Sequence, residues 1–482
     1  MSMKELVFPL LFALVVAGGV GACMAVPRAR DWVLGLLVLG TVRADLVDIN
    51  YLSREWYRGS TRGVEINWLD MLVWVLLIVG LMNRDRARPW HLPAGIAAMG
   101  LYLAYCLVNV AVNEPKLMGL FELSKILRGT VLYLVVANTV RSAREARVVA
   151  MAVCLALCYE GYLAVTQRYL GGRNRVPGSF DHANSLSMYC CMGVAVAAAT
   201  FMSNLPNRQR WLAGAAVLCG VLAVVLTQSR TGFVTVILTT LGTLAMCGMF
   251  RPTPRNLMIF AAIVAGGGAI VYKAWDTIGG RMAENAQEIT DDPTQGRNYY
   301  FNLAKLIIRD KPGGAGLNNW SYVVTNKYGA MLGMEYNAYP GTDSPPDTEV
   351  PRGSPDLAQA APAHSLVALT VGELGWPGLA VFGLCWLNWF AIPARFLFRR
   401  TASIESRLGM AVFFAVAACF LQSQTEWEYR QTPMFTLFHI LIASAAGLLW
   451  ARHRARGLRR GQAPARRAIR APSPPAGAGT SA

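Results

Sequence analysis

Residues 211–249 read WLAGAAVLCGVLAVVLTQSRTGFVTVILTTLGTLAMCGM, and this stretch decides the fold class. It contains two apolar runs, 211–228 and 231–249, which carry almost no charge and meet at Arg230. Each run is long enough to cross about 30 Å of hydrocarbon as a helix. A helix satisfies its own backbone hydrogen bonds, as lipid requires of any spanning segment. The stretch therefore predicts two transmembrane helices rather than part of a soluble core.

The rest of the chain repeats this pattern, because 54% of its 482 residues are hydrophobic and only 15% are charged. We predict an all-α fold, a polytopic transmembrane helical bundle of 12–13 spans with one large, partly helical loop before a late span. The predicted spans are 6–26, 32–42, 67–82, 92–112, 120–140, 148–166, 185–203, 211–228, 231–249, 257–275, 364–391, 408–422 and 433–451. The span at 32–42 is short. If this segment is a re-entrant loop, the chain has twelve spans and its N-terminus lies inside. If it crosses the membrane, the chain has thirteen spans and its N-terminus lies outside.

The net charge of +17 invites a nucleic-acid interpretation, but its distribution indicates membrane topology. Lysine and arginine are concentrated in alternate short loops, as the positive-inside rule describes. These basic segments are 83–91, 141–147, 204–210, 250–256, 393–407 and the tail from Arg452. The opposite, outer side then receives 43–66, 113–119, 167–184, 276–363 and 423–432.

These patterns predict one polytopic membrane domain over 1–451 and a basic, disordered cytoplasmic tail over 452–482. The membrane domain contains one long polar segment, 276–363, in which eleven acidic residues outnumber seven basic ones. All ten cysteines fall within apolar runs, so no disulfide framework is indicated in the outer loops. The long segment is the one place where a large outer structure can form.

Two histidines and two arginines on the outer side are candidates for chemistry. His182 and His364 lie at the mouths of spans, where a neutral imidazole can act as a general base. Arg230 lies between two uncharged spans, and a charge at that depth is expensive and usually functional. Arg297 opens an amphipathic stretch of the long segment, and guanidinium groups suit bidentate contact with phosphate. The alternatives are helix-end histidines wetted by headgroups, a snorkelling Arg230, and an Arg297 paired with a neighbouring aspartate.

Further candidates lie in two outer segments. NRVPGSFDHANSLS (174–187) contains Arg175, His182 and Asn184, although a plain turn and a helix cap explain it equally well. The long segment carries aromatic residues that can stack on sugars or form a loop core, namely Tyr299, Tyr300, Trp320 and Tyr322. PGGAG (312–316) lacks the ending of a nucleotide-binding loop. We find no carboxylate or histidine cluster with metal-ligand spacing, and therefore expect no metal and no cofactor.

Four segments, in this order, resemble a known family. They are GSFDHANSLSMY (178–189), LTQSRTGF (226–233), GRNYYFNLAKLIIRDKPGGAGLNNW (296–320) and AHSLVALTVGELGWPG (363–378). The chain resembles the O-antigen ligase/polymerase superfamily, membrane glycosyltransferases with a Wzy-C region, over roughly residues 170–390. The resemblance implies a GT-C-like fold in the bacterial inner membrane, with the large loop and active site facing the periplasm.

The resemblance also implies an activity: metal-independent, inverting transfer of a glycan from undecaprenyl diphosphate to an acceptor hydroxyl. His364 matches the family's essential histidine and would be the catalytic base. Arg230 and Arg297 match its two essential arginines and would bind the diphosphate, with Arg175 as a less secure third. One departure is Ser365, where the family commonly has asparagine.

The resemblance leaves the acceptor open. A growing surface or exopolysaccharide, the lipid A core of lipopolysaccharide and a protein are alternatives, and a chain-length regulator is a further partner that it allows. YLSREWYRGSTRGVEIN (51–67) has no counterpart among ligases, which favours an exopolysaccharide polymerase. From another class, a flippase would need charges at mid-membrane. Lys125 and Arg128 form the one such basic pair within a predicted span.

Overall fold

The computed structural model of this chain describes residues 3–26, 28–82, 89–248, 297–334, 336, 359–398 and 401–469, with single positions 253, 254, 258, 261 and 265. The predicted fold class is confirmed: the chain is an all-α polytopic bundle. Within the described part, eight helices are long and apolar enough to cross a membrane, and two shorter apolar helices accompany them. The predicted span at 257–275 lies outside the described residues, apart from three single positions.

The helices begin and end close to the predicted spans. They are α1 Met3–Ala25, α2 Ala29–Leu39, α3 Trp68–Met82, α4 Ile96–Val112, α5 Lys116–Thr139, α6 Ala143–Val165, α7 Ala183–Phe201, α8 Asn207–Thr227, α9 Arg230–Gly248, α10 Arg297–Asp310, α11 Trp320–Val323, α12 Leu366–Ala394, α13 Ile404–Ser423 and α14 Thr432–Ile469. Short 3₁₀ or π turns follow α2, α6, α11 and α13, at Gly40–Leu46, Thr166–Leu170, Val324–Tyr328 with Ala330–Leu332, and Glu428–Arg430. The last helix continues into the segment 452–482, whose residues beyond 469 lie outside the description.

The loops meet at the two ends of the bundle as the charge pattern predicts. At one end, the backbone of Asn204 bonds to that of Ala402, which joins two of the basic segments. At the same end, Arg141 donates to the Pro89 carbonyl at 2.8 Å, which joins two more. At the other end, Arg58 donates to the Gln359 carbonyl at 2.9 Å, which joins two of the segments assigned to the outer side.

The short span at 32–42 runs from one end of the bundle to the other. Asp31 at its start pairs with Arg144, on the basic side. Thr41 bonds to the hydroxyl of Tyr189 at 2.7 Å, two turns from the outer end of α7. The helix before it runs the opposite way, because Phe8 packs with Ile49 of the outer segment. The N-terminal end of α1 therefore lies on the same side as the outer segments.

The outer segment 43–66 forms a β-hairpin that the sequence did not reveal. β1 (Asp48–Tyr51) pairs antiparallel with β2 (Val64–Asn67). The pairing leads directly into α3, because the Trp68 amide donates to the Val47 carbonyl at 2.9 Å. The hairpin thereby lies over the outer end of the bundle.

The PGGAG stretch fastens the large loop to α12. Gly314 has a φ of 88°, and a Cβ at this position would lie 2.2 Å from the backbone oxygen of Glu373. The Ala315 and Gly316 amides donate to the carbonyls of Gly372 and Glu373, both at 2.9 Å. This close approach of two backbones requires glycine. It coincides with a kink in α12, where Gly375 has a φ of 66°.

Candidate active site

A cavity of about 850 Å³ opens at the outer end of the bundle. It has two walls. The first, which we call the hairpin wall, is formed by lining residues between 42 and 65. The second, which we call the histidine wall, is formed by lining residues of 173–184, 361–364 and 427–433. The cavity thus lies between a segment near the N-terminus and three segments distant in sequence.

A continuous chain of hydrogen bonds runs along the histidine wall. His364 Nδ1 lies 2.9 Å from Glu426 Oε2. The other carboxylate oxygen, Glu426 Oε1, accepts a bond from Asn184 Nδ2 at 2.6 Å. Asn184 Oδ1 in turn accepts from Arg175 Nη2 at 2.9 Å. The predicted base and one predicted phosphate ligand are therefore linked through a carboxylate and an amide.

The local sequence fixes both ends of the His364–Glu426 contact. Ser365 is the N-cap of α12 and accepts a bond from the Ala368 amide, so His364 stands immediately before a capped helix. Glu426 lies in the short turn between α13 and α14, two residues before the start of the 3₁₀ turn Glu428–Arg430. The His364 side chain is 46% exposed, whereas that of Glu426 is only 15% exposed. The histidine thus presents its ring to the cavity while its partner is largely enclosed.

The first turn of α10 approaches His364 from the large loop. The ring of Tyr300 meets the His364 ring edge-on, with the centroids 5.6 Å apart. Arg297 is the first residue of the same helix, three residues before Tyr300, and its side chain is not among those that the structure describes. Tyr299 and Trp320 are buried in the loop core, where an added Cβ on Gly372 would touch the Trp320 ring. For these two aromatic residues the structure matches the loop-core alternative.

Arg230 and His182 lie at the margins of the site. Arg230 is the first residue of α9, and the next residue, Thr231, bonds to Thr425 at 3.2 Å. The start of α9 therefore lies beside the turn that carries Glu426, although Arg230 is not one of the cavity's lining residues. His182 lines the cavity and is exposed.

A second carboxyl of the same turn, Glu428, was also missed from the sequence. It lines the cavity although its side chain is only 2% exposed. Burial raises the pKa of Glu428 well above its usual range, and the neighbouring Glu426 charge raises it further. The signal available in the sequence was TEWEYR (425–430), which places two glutamates and an arginine in a short outer turn.

Buried ion pairs hold this turn from behind. Arg430 Nη1 lies 2.5 Å from Glu373 Oε2 of α12, and both side chains are almost fully buried. Lys125 Nζ donates to the Arg430 carbonyl at 2.6 Å and pairs with Glu122 at 2.8 Å. The four charges cancel, so the group can remain ionised away from water.

Among the described residues, no three histidine, cysteine, aspartate or glutamate side chains are grouped so that they can hold a metal ion.

One family model matches this chain. Residues 215–383 match the Wzy_C family, described as O-antigen ligase. No curated protein matches the chain. The matched region includes Arg230, Arg297 and His364, but it ends before Glu426 and excludes the hairpin wall. Residues 215–383 thus match an O-antigen ligase region, and the predicted resemblance to the O-antigen ligase/polymerase superfamily is confirmed over these residues.

Proposed function

We propose that this protein transfers a glycan from undecaprenyl diphosphate to an acceptor hydroxyl at the periplasmic face of the bacterial inner membrane. We favour as acceptor the growing chain of a surface or exopolysaccharide, which makes the protein a polymerase. The observation that carries the proposal is the bonded series His364–Glu426–Asn184–Arg175 beside a large outer cavity. It combines a candidate base with a candidate phosphate ligand in one site.

The base step follows from the contact between His364 and Glu426. When Nδ1 carries the ring proton and donates it to Glu426, the lone pair is on Nε2. Nε2 can then accept the proton of an acceptor hydroxyl as that oxygen attacks the anomeric carbon. A single displacement of this kind inverts the configuration at that carbon. The ring is half-exposed, which leaves Nε2 accessible to a substrate in the cavity.

The leaving group calls for positive charge rather than for a proton. A departing diphosphate gains charge on its bridging oxygen, and guanidinium groups placed beside it stabilise that charge. Arg175 lies on the histidine wall, with its Nε 3.3 Å from the Thr227 carbonyl. Arg230 opens α9 beside the Glu426 turn, and Arg297 opens the helix that carries Tyr300 to His364. We assign diphosphate binding to these three arginines.

An apolar groove supports a lipid-linked donor. The groove has a volume of about 400 Å³ and lies between α12 and α13. It begins at Leu366, two residues after His364, and at Gln424, two residues before Glu426. It continues past Leu384 and Leu387, which are 44% and 66% exposed. A polyprenyl chain lying there would bring its diphosphate to the histidine wall.

The alternatives differ mainly in the acceptor. An O-antigen ligase would transfer to lipid A core, and a protein O-oligosaccharyltransferase would transfer to a protein hydroxyl. A flippase is less well supported, because the two basic residues that suggested it are compensated. Lys125 pairs with Glu122, and Arg128 lies 2.5 Å from Asp70.

The test uses a deletion strain that carries either the wild-type protein or His364→Ala, at matched membrane levels. Single repeats that accumulate on undecaprenyl diphosphate, without polymer, in the deletion and His364→Ala strains would support a polymerase. Full-length polymer on the lipid carrier with bare lipid A core would instead identify a ligase. Full rescue by His364→Ala would remove the base from the mechanism and favour a transporter.

A further inference from the structure

The hairpin wall differs chemically from the wall that carries His364. Its charged lining residues are three carboxylates and two guanidinium groups, namely Asp45, Asp48, Glu65, Arg58 and Arg62. This mixture is close to neutral and suits an uncharged polyol better than a diphosphate. Planar carboxylate, amide and guanidinium groups can each bond two hydroxyls of a sugar ring at once.

The hairpin wall is held rigidly against the bundle. Asn318 of the large loop donates to the carbonyls of Thr61 and Met118, at 2.8 and 2.9 Å. Its own Oδ1 accepts a bond from the Ser60 hydroxyl at 2.9 Å. Tyr57 also donates to the Asn318 carbonyl. A wall fixed in this way loses little entropy when a ligand binds to it.

Hydrogen bonds join the hairpin wall to the histidine wall next to the Glu428–Arg430 turn. Thr432, just after the turn, donates to Glu65 of β2 at 2.8 Å. Lys125 bonds to Thr61 at 2.7 Å and to the Arg430 carbonyl, and so bridges the two sides. A ligand on the hairpin wall is therefore held at a set distance from His364.

Two polar atoms that belong to cavity-lining residues have no hydrogen-bond partner among the described residues. One is Oδ1 of Asn50 on β1, and the other is Oε2 of Glu428. Both atoms are buried, and Glu428 as a whole is only 2% exposed. A buried polar atom without a partner is costly, and a ligand group that completes its hydrogen bonding explains why one is kept beside a cavity. The amide oxygen of Asn50 and the carboxyl oxygen of Glu428 can each accept a hydrogen bond from a hydroxyl.

The hairpin also lies outside the matched family region, residues 215–383. The candidate base, Arg230 and Arg297 lie inside it. The family match therefore covers the candidate base and leaves out the hairpin wall, as it also leaves out residues 173–184 and 427–433 of the histidine wall.

We propose that the hairpin wall is the acceptor subsite, and that Asp48, Asn50 and Arg62, with Glu428 of the facing histidine wall, bind hydroxyls of the acceptor glycan. This inference rests on the proposed transferase function and adds the side of the cavity from which the acceptor approaches. It makes 40–67 the segment that determines acceptor specificity.

The first experiment measures binding of a lipid-free glycan to the purified full-length protein in detergent. The probe is the glycan repeat released by mild acid from the lipid-linked intermediates of the deletion strain. We expect Asp48→Asn and Arg62→Ala each to weaken its binding by about tenfold to a hundredfold, the loss of one charge-assisted hydrogen bond. The matched controls are Glu55→Gln and Arg54→Ala, which alter residues of the same segment that do not line the cavity.

The second measurement separates acceptor from donor. With lipid-linked donor held constant and released glycan varied as acceptor, the hairpin variants should raise the KM for the acceptor about as much as they raise Kd. The KM for the donor should stay unchanged. A raised donor KM with an unchanged acceptor KM would place the donor glycan on this wall and overturn the proposal.

A third experiment separates loss of binding from misfolding. Arg62→Cys is purified in its folded state and then labelled with a bulky maleimide, and Glu55→Cys is treated in the same way as the control. Blocked binding at position 62 alone supports the subsite. Glycan binding that is unchanged in every variant overturns the proposed subsite. A wild-type protein that does not bind the glycan at 10 mM also overturns it, because this concentration is well above a weak dissociation constant of about 1 mM. His364→Ala should bind the glycan normally, so failure of the catalytic proposal remains distinguishable from failure of the subsite.

Discussion

Glu426→Gln tests the His364–Glu426 contact most directly. Each carboxylate oxygen of Glu426 accepts one hydrogen bond, from His364 and from Asn184. Glutamine has the same shape but only one accepting atom, because its amide nitrogen is a donor. The substitution must therefore disturb one of the two bonds.

Either arrangement of the amide impairs the site. If the amide nitrogen faces His364, Nδ1 must accept and the ring proton moves to Nε2, where the base needs its lone pair. If it faces Asn184, that side chain must turn over and lose the bond from Arg175. A hydrogen bond to a charged group contributes about 1.5–3 kcal/mol, which corresponds to a fall in kcat of roughly 10- to 150-fold.

The assay measures initial rates of transfer by purified protein from the lipid-linked donor, with KM and kcat separated. We expect kcat to fall and the KM for the acceptor to stay within about twofold, because Glu426 is enclosed behind the histidine and is not a lining residue of the cavity. Glu426→Asp keeps both accepting atoms and should recover part of the rate. Glu405→Gln, at the opposite end of α13, is the control. Wild-type kcat in Glu426→Gln would refute a positioning role for this carboxylate.

Three further predictions concern stability, each measured by thermal unfolding of the purified protein in detergent. Gly314→Ala should destabilise by about 2–4 kcal/mol, because it combines a positive φ with overlap on the Glu373 backbone, whereas Gly313→Ala enters open space and should have little effect. Arg430→Met should lower the free energy of unfolding by about 3–5 kcal/mol, because it leaves the Glu373 carboxylate buried without its partner. The double variant with Glu373→Gln should recover part of the lost stability. Burial gives Glu428 a folded-state pKa above its unfolded value, so the folded protein holds this proton more tightly than the unfolded chain does. The unfolding temperature of the wild-type protein should therefore fall as pH rises through the folded pKa, and Glu428→Gln should remove that fall. A wild-type profile that Glu428→Gln leaves unchanged would contradict the assignment.

The sequence sufficed for the helices and their sides because both depend on local composition. A run such as 231–249 permits only a helix in lipid, and its structure begins at Arg230, within one residue of the prediction. The described parts of four basic segments meet in pairs at one end, because lysine and arginine distribution follows topology. The amphipathic stretch after Arg297 likewise forms the expected helix.

The carboxylates of the site were not predictable in the same way. Glu426 and Glu428 occur in a short outer turn, where glutamate is ordinarily solvated. Their burial arises only when the hairpin, α12 and α7 close around that turn. β1 and β2 were missed for a related reason: each has four residues, too few to show a period, and twelve residues separate them. Trp320 was identified from the sequence, but its role was not. An aromatic residue in an outer loop can stack on a sugar or pack in a loop core, and only its neighbours distinguish the two.

The buried charges explain why so much polar chemistry occurs at the outer end of an apolar bundle. Paired groups such as Arg430 with Glu373 and Lys125 with Glu122 add little net stability over well-packed apolar residues, because desolvation offsets their attraction. What they supply is directional: Arg430 Nη1 and the Lys125 ammonium group hold the turn at set points, where apolar contacts would let it slide. That turn carries Glu426, so the position of His364 depends on ion pairs that never touch a substrate. Arg430→Lys should test this distinction, since an ammonium group keeps the positive charge but not the directed N–H of the guanidinium. We expect the lysine variant to fold but to transfer more slowly, whereas equal losses of stability and of rate would make the pair a structural support only.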